Sequence, residues 1–388
     1  MRQILLFSSL FMFSFACSTP SSDTEEPPLD VRLDLLVGTY TKTEGHVDGQ
    51  AEGIYQFSVA PKGNLNNRQL IADDIVNPSY LALSPDRNLL FAVSEIGPDV
   101  DSVGYLHLYQ RQNDGGWAFV NKQPTYAFAP CYVAVHPSGK SVAVANYVGG
   151  TVALYPITQE QRIGTATSIL RLSGSTDHPR QDSSHPHATV FSPDGQYLFV
   201  PDLGSNKIWS FALDAETTEL KPTSPEAVEL APAAGPRHMV FHPNGRFAYV
   251  ASELNNTVTV FELKNGYALE ILGSYSTLPE KANVESYVAD IHLTGDGKQL
   301  YVSNRGHNSL AHFTVNETDG SLSTKAYHGV KGDFPRNFVI HPNDRWLYAA
   351  NQNTSNISIF KIGPEGDLNF QSELAVPTPV CLKFRSAQ

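Results

Sequence analysis

One phrase recurs six times along the 388-residue chain, at a spacing of about fifty residues. It consists of an apolar strand, a tight turn of Pro, Asp, Asn and Gly type, and a second apolar strand ending in a polar pair. The copies read YLALSPDRNLLFAVSE from Tyr80, YVAVHPSGKSVAVANY from Tyr132, ATVFSPDGQYLFVPDL from Ala188 and HMVFHPNGRFAYVASE from His238. DIHLTGDGKQLYVSNR from Asp290 and NFVIHPNDRWLYAANQ from Asn337 complete the set. A period of this length with several strands per unit specifies a β-propeller, because one such unit cannot bury its apolar faces alone and must stack on its neighbours. No long helical period or capped helix competes with that pattern. The expected fold class is all-β.

Half-phrases at the two ends supply a seventh unit. Leu35-Leu36-Val37-Gly38-Thr39-Tyr40 matches the second strand of the phrase. Gly53 to Val59 follows it and matches outer strands such as Thr257 to Phe261 and Asn356 to Phe360. Near the other end, Pro379-Val380-Cys381-Leu382-Lys383-Phe384 matches the first strand. Pairing the last strand with the first closes the ring and removes an exposed sheet edge. A seven-bladed propeller over residues 34–385 is predicted.

Residues 1–17 read as a targeting segment. Arg2 precedes an apolar run, Ile4 to Ala16, too short to span a bilayer and proportioned like a signal core. Ser14-Phe15-Ala16-Cys17 resembles a bacterial lipoprotein signal, which implies Cys17 as the lipidated residue; plain secretion and a retained anchor are the alternatives. Residues 18–33, acidic and Pro-rich, read as a disordered tether. The chain is thus expected to be exported, anchored through a lipid and facing the periplasm or cell surface. Cys131 and Cys381, the remaining cysteines, fall on non-adjacent blades, so no disulfide framework is legible. A net charge of −12 argues against a nucleic-acid partner, which needs a basic face, but leaves room for one small anion held by converging arginines.

Aligning the copies separates architecture from chemistry. The residues before the turn are Ser84, His136, Ser192, His242, Thr294 and His341, a column of hydroxyls and imidazoles suited to capping the turn rather than to catalysis. Six positions earlier lie Pro78, Pro130, Pro186, Pro236, Val288 and Pro335, with Pro379 equivalent, and proline suits the first residue of a strand. The next two columns vary: Ser79-Tyr80, Cys131-Tyr132, His187-Ala188, Arg237-His238, Ala289-Asp290, Arg336-Asn337 and Val380-Cys381. So do the ends of the second strands: Thr39-Tyr40, Ser94-Glu95, Asn146-Tyr147, Asp202-Leu203, Ser252-Glu253, Asn304-Arg305 and Asn351-Gln352. The first two strands of a blade are antiparallel, so all these columns meet at one mouth of the central channel and the turns lie at the other. Arg237, Arg305, Arg336, His187, His238, Glu95, Glu253 and Asp290 therefore converge, a mixture too polar for architecture alone.

Ser184-His185-Pro186-His187, Gly235-Pro236-Arg237-His238 with Glu253 beyond, Asn304-Arg305-Gly306-His307, Phe334-Pro335-Arg336-Asn337 and the opening Gly38-Thr39-Tyr40-Thr41 resemble the seven-bladed lactonase family. That family includes propeller-type 6-phosphogluconolactonases and fungal carboxymuconate lactonizing enzymes. The resemblance implies opening of an anionic sugar lactone, or the reverse closure, with no metal and no cofactor. It implies His187, Arg237 and Glu253 as catalytic and Arg305 and Arg336 as anion binders. The chemistry agrees: hydrolysis needs a base for water, a stabiliser of the oxyanion and a binder for a substrate anion. Glu253 or His187 would move the proton and Arg237 would meet the oxyanion. His238, Asp290, Asn304, Tyr40 and Tyr132 would help hold the substrate of a monomeric enzyme. The plainer alternative pairs Arg237 with Glu253, and Arg305 and Arg336 with Asp290 or Glu95, as ion pairs only. YVTN-type stretches such as Tyr301-Val302-Ser303-Asn304 also leave open a non-catalytic binding propeller. A metal-dependent lactonase using Glu95, Asn146, Asp202 or Asn304 is a further rival. An exported chain meets few phosphorylated sugars, so a non-phosphorylated lactone is at least as reasonable.

Overall fold

A computed structural model describes residues 33–44, 47–98 and 100–386. It contains seven four-stranded antiparallel sheets and one small ribbon, Thr43–Glu44 with Val47–Asp48; no helix occurs among the described residues. Numbering the blades from the one that carries the N-terminal strand, the innermost strands are Pro379–Ser386, Leu81–Leu83, Pro130–Val135, Val190–Phe191, Pro236–Phe241, Tyr287–Leu293 and Pro335–Ile340. The propeller and its closure are as expected. Blade 1 runs from the channel outward as Pro379–Ser386, Leu33–Thr39, Ile54–Val59 and Leu65–Ala72, with Leu35 opposite Phe384 and Val37 opposite Leu382. Leu33, assigned to the tether by sequence, already belongs to that strand. The signal segment, Cys17 and the rest of the tether lie outside the described residues.

Burial explains why only part of each blade repeats legibly. Second strands such as Ser141–Asn146, Phe247–Ser252 and Trp346–Asn351 are buried at every position, being covered by the neighbouring blade on both faces. Each fully buried Val, Leu or Phe there contributes about 1.5–3 kcal/mol. Fourth strands such as Glu219–Glu229 are largely exposed, so little constrains their side chains.

Neighbouring blades are also stitched by hydrogen bonds. The hydroxyls of Tyr249, Tyr301 and Tyr348 donate to the carbonyls of Gly320, Gly366 and Gly63 in the next blade. The histidines before the turns do what capping groups do. His136 Nδ1 lies 2.7 Å from Ser138 Oγ and its Nε2 lies 2.8 Å from the Gly195 carbonyl of blade 4. His242 Nε2 reaches the Gly297 carbonyl of blade 6 at 3.2 Å, and the Asn244 amide donates to its Nδ1. Gly195 is required twice over. Its φ is +73°, and a Cβ there would sit 2.4 Å from His136 Nε2. Cys131 and Cys381 are buried free thiols on blades 3 and 1.

Candidate active site

The sequence-variable columns owe their geometry to a repeated bulge. In blades 3, 5 and 7 the strand proline pairs with the end of the second strand (Pro130 with Asn146, Pro236 with Ser252, Pro335 with Asn351), and the register then skips one residue. The skipped residues are Cys131, Arg237 and Arg336; Val380 is skipped in blade 1, and Ala289 and Asp290 in blade 6. A bulge frees its extra residue from the ladder and re-aims it. Here Cys131, Arg237, Arg336 and Val380, with Ser79, Tyr80, His238 and Asn337, line a small pocket of about 10 Å³ in the channel, room for about one water.

The column that follows the bulge forms a belt linking blades. His238 Nδ1 lies 2.7 Å from Asp290 Oδ1. Asp290 Oδ2 accepts from the Asn337 amide and from His292 Nε2 at 3.0 Å. Asn337 Oδ1 in turn accepts from the Leu382 amide at 2.7 Å. The Leu81 amide, on blade 2, reaches Cys381 Sγ at 3.3 Å. Asp290 is thus fully bonded inside the belt and does not line the pocket. Burial would raise its pKa, but His292 and His238 hold it well below the carboxylate range. Its charge fixes the tautomer of His238: Nδ1–H donates to Asp290, so Nε2 accepts from Arg237 Nη1 at 3.1 Å. Burial, then the Arg237 charge, push His238 down to about 3, so it is neutral near pH 7.

Glu253 sits at the end of the second strand of blade 5 inside a cage of guanidiniums. Arg180 Nη2 lies 2.7 Å from Oε1, while Arg305 Nη2 and Arg237 Nε lie 2.8 and 3.1 Å from Oε2. The Arg237 contact is an ion pair without hydrogen-bond alignment. Arg305 also donates from Nη2 to the Val288 carbonyl at 3.1 Å. Burial raises the Glu253 pKa, but Arg305, Arg237 and Arg180 outweigh it and bring it to about 2. A carboxylate so held has both oxygens engaged by guanidiniums, so of the two sequence candidates His187 is the one that keeps a ring nitrogen open to a water. His187 is buried; its Nδ1 is 3.8 Å from Cys131 Sγ and its ring meets those of Tyr147 and His238 edge-on. Its Nε2 has no protein partner among the described residues. Burial first, then Arg237 and His238, hold its pKa well below the usual value.

Arg336 differs from the other arginines. It lies over the Tyr40 ring, 5.5 Å from the centroid, with Glu95 Oε1 3.9 Å from its Nη2. It makes no hydrogen bond to the protein among the described residues, although only 12% of its side chain is exposed. Tyr132 stacks on Tyr80 at 4.1 Å between centroids and meets His238 edge-on. The structure therefore brings Tyr40, Tyr132, His187, Arg237, His238, Glu253, Arg305 and Arg336 to one mouth. It does not bring Asn304, whose amide turns away to the Thr277 carbonyl and Ser309 Oγ. Of the oxygen ligands considered for a metal, Glu95 stays at the mouth beside Arg336, whereas Asn146, Asp202 and Asn304 point to separate seams. Asn146 bonds Thr125 and Thr151, and Asp202 accepts from Ser184, Trp209 and the backbone of His185, Gly204 and Ser205.

Arg180 was missed by sequence because it belongs to no repeat column. It lies between Arg171 and Val190, in a segment pinned by the buried Gln181, which bonds Thr176 and the Leu203 carbonyl. The signal available was the segment itself, an insertion carrying an arginine at the mouth. Its side chain is 40% exposed, bonds Tyr147 Oη at 3.3 Å and lies over the Tyr287 ring.

Comparison with known proteins converges on one family. The family model described as lactonase, 7-bladed beta-propeller, matches residues 34–384. The 6-phosphogluconolactonase of Bacillus subtilis is 34% identical over 354 residues, 90% of this chain and 97% of that one. The 6-phosphogluconolactonase of Formosa agariphila is 32% identical, covering 84% and 92%. Among solved structures, the periplasmic gluconolactonase of Pseudomonas aeruginosa superposes with a TM-score of 0.86 at 32% identity, covering 92% of this chain and 99% of its own.

Proposed function

The chain belongs to the seven-bladed β-propeller lactonase family, and we propose that it hydrolyses a sugar lactone at the channel mouth just described. The observation that carries this reading is Arg336, a largely buried guanidinium that makes no hydrogen bond among the described residues and only a loose 3.9 Å ion pair with Glu95, lining the same pocket as Arg237. Burying unpaired N–H donors is costly, so such a group fits a ligand that supplies oxygen acceptors and gains negative charge during reaction. A ring-opening ester hydrolysis does both.

In this mechanism water attacks the lactone carbonyl while His187 Nε2 takes its proton. The carbonyl electrons move onto oxygen, where Arg336 and the open edge of Arg237 stabilise the oxyanion. Collapse breaks the bond to the ring oxygen, which receives the proton from His187 and leaves as a hydroxyl. The product is the open-chain hydroxy acid. Glu253 serves as counter-charge, not base: it holds Arg237, Arg305 and Arg180 in place. His238, oriented by Asp290, positions Arg237 through its Nε2. Run backwards, the same groups would close a lactone, the carboxymuconate-type alternative.

The mature protein, on this account, is a monomer exported and anchored through Cys17, and its substrate is a non-phosphorylated aldonolactone. The apolar run Ile4 to Ala16 and Cys17 support export, and the likeness to a periplasmic gluconolactonase supports the substrate. Three of the four mouth arginines are already occupied by Glu253, which leaves few donors for a phosphate dianion. Hydrolysis of gluconolactone and of its 6-phosphate, each with excess chelator, tests the reading. Turnover of gluconolactone with the higher kcat/KM is expected. Preference for the phosphorylated lactone would overturn the substrate assignment, and no turnover of either would overturn the function. Loss of fatty-acid labelling in Cys17→Ala tests the anchor.

A further inference from the structure

We propose a divalent transition-metal site, Zn²⁺ by preference, on the seam between blades 6 and 7, formed by His312, His328 and Asp367 and separate from the lactone site. His312 lies on the third strand of blade 6 (Ser309–Val315) and His328 on its fourth (Leu322–Gly329). Asp367 lies in the turn that follows the third strand of blade 7. One ligand atom from each, two imidazole nitrogens and a carboxylate oxygen, falls within 4.8 Å of the others. Among the described residues no other group of His, Cys, Asp and Glu converges in this way.

The spacing suits a metal better than a hydrogen bond. His312 Nδ1 and His328 Nε2 are 3.5 Å apart, the limit for a hydrogen bond. Two nitrogens on a tetrahedral zinc, at about 2.0–2.1 Å each, sit roughly 3.3–3.4 Å apart. The orientation of His312 is fixed from behind. Its Nε2 lies 2.7 Å from Gln299 Oε1 and donates to it, which leaves the Nδ1 lone pair facing His328 Nε2. Its ring stacks on Tyr301 at 4.6 Å, and the Tyr301 hydroxyl is bonded to the Gly366 carbonyl of the turn carrying Asp367. The neighbouring cation, Lys325, is neutralised by Glu365 at 3.3 Å. The Asp367 carboxylate has no protein partner among the described residues. Two imidazoles and a carboxylate with a fourth position open to water match a zinc donor set. The metal would clamp two blades at their outer strands.

The test uses protein purified without a polyhistidine tag, stripped by chelator and titrated with Zn²⁺ against a chromophoric chelator. Co²⁺ is titrated in parallel as a spectroscopic probe. One equivalent of Zn²⁺ should bind, Co²⁺ should give an intense visible spectrum, and the melting temperature should rise with added Zn²⁺. His328→Ala and the exposed Asp367→Asn should each abolish the Co²⁺ spectrum, and Gln299→Ala should weaken Zn²⁺ about tenfold. Lactone hydrolysis should be unchanged in all three, which also shows that they fold. Equal Zn²⁺ binding by the wild type, His328→Ala and Asp367→Asn, or no binding by the wild type, would overturn the site.

Discussion

Arg237 Nε lies 3.1 Å from Glu253 Oε2 across the first two strands of blade 5, and both side chains are buried. This pair is the hinge between architecture and chemistry at the mouth. Glu253 is the counter-charge between the buried guanidiniums of Arg237 and Arg305, with Arg180 on its solvent side, and the bulge after Pro236 turns Arg237 so that it also faces the pocket.

Glu253→Gln should therefore act on stability first. Removing the carboxylate that, among the described residues, alone contacts Arg180, Arg237 and Arg305 leaves Arg237 and Arg305 as buried like charges, at a cost of about 3–5 kcal/mol. Denaturant unfolding should show a lower midpoint with an unchanged slope, together with lost activity. A wild-type midpoint would mean that the cage is not a structural unit.

His187→Ala should separate catalysis from stability. Loss of the proton acceptor lowers kcat by about 10²–10⁴-fold, whereas KM and the melting temperature should change little. Equal losses in kcat/KM and stability would assign His187 to the core instead.

Arg180→Ala is expected to be mild in stability and visible in kinetics. The side chain is 40% exposed, so its ion pair with Glu253 should contribute less than about 1 kcal/mol. With one guanidinium gone, the cage around Glu253 loosens on its solvent side. KM should rise, more at low salt than at high salt. Indifference of KM to this change would remove Arg180 from the site.

How much of this was legible beforehand follows from what repeats. The fifty-residue phrase records strands buried on both faces, so blade number and ring closure could be read from strings such as that around His238. Arg237 and Arg336 could be found because they interrupt a column of otherwise different residues. Three features were not legible. The bulge register depends on hydrogen bonds that no residue type announces, so Asn304 and Arg305, adjacent in sequence, could not be assigned to seam and mouth. Asp290 looked like a ligand group, but only its five donors reveal it as a belt residue. Arg180 lies in an insertion, outside any comparison between copies.

Acid should destabilise the fold before it protonates the carboxylates. The unfolded chain protonates the His238 imidazole below about 6.5, but in the native state burial and Arg237 delay this to about 3. The unfolded state binds more protons within that window. Stability is therefore full above about pH 6.5 and falls as the pH is lowered through it, with His187 contributing in the same direction. Glu253 adds a second loss as the pH falls from its ordinary value of about 4.3 toward 2. Unfolding midpoints should be level from about pH 8 to about pH 6.5 and decline from there to pH 4, less so in His238→Asn. A flat profile would contradict neutral buried imidazoles.

The most direct measurement is kcat/KM for gluconolactone hydrolysis by Arg336→Ala beside the wild type, in chelator and with melting temperatures recorded. Arg336 makes no hydrogen bond to the described protein and only a 3.9 Å ion pair with Glu95 beside the Tyr40 ring, so its loss should lower the melting temperature only slightly. Activity should fall by about 10²–10³-fold, the usual cost of one oxyanion donor. Wild-type kcat/KM in a folded Arg336→Ala protein would contradict lactone hydrolysis at the channel mouth.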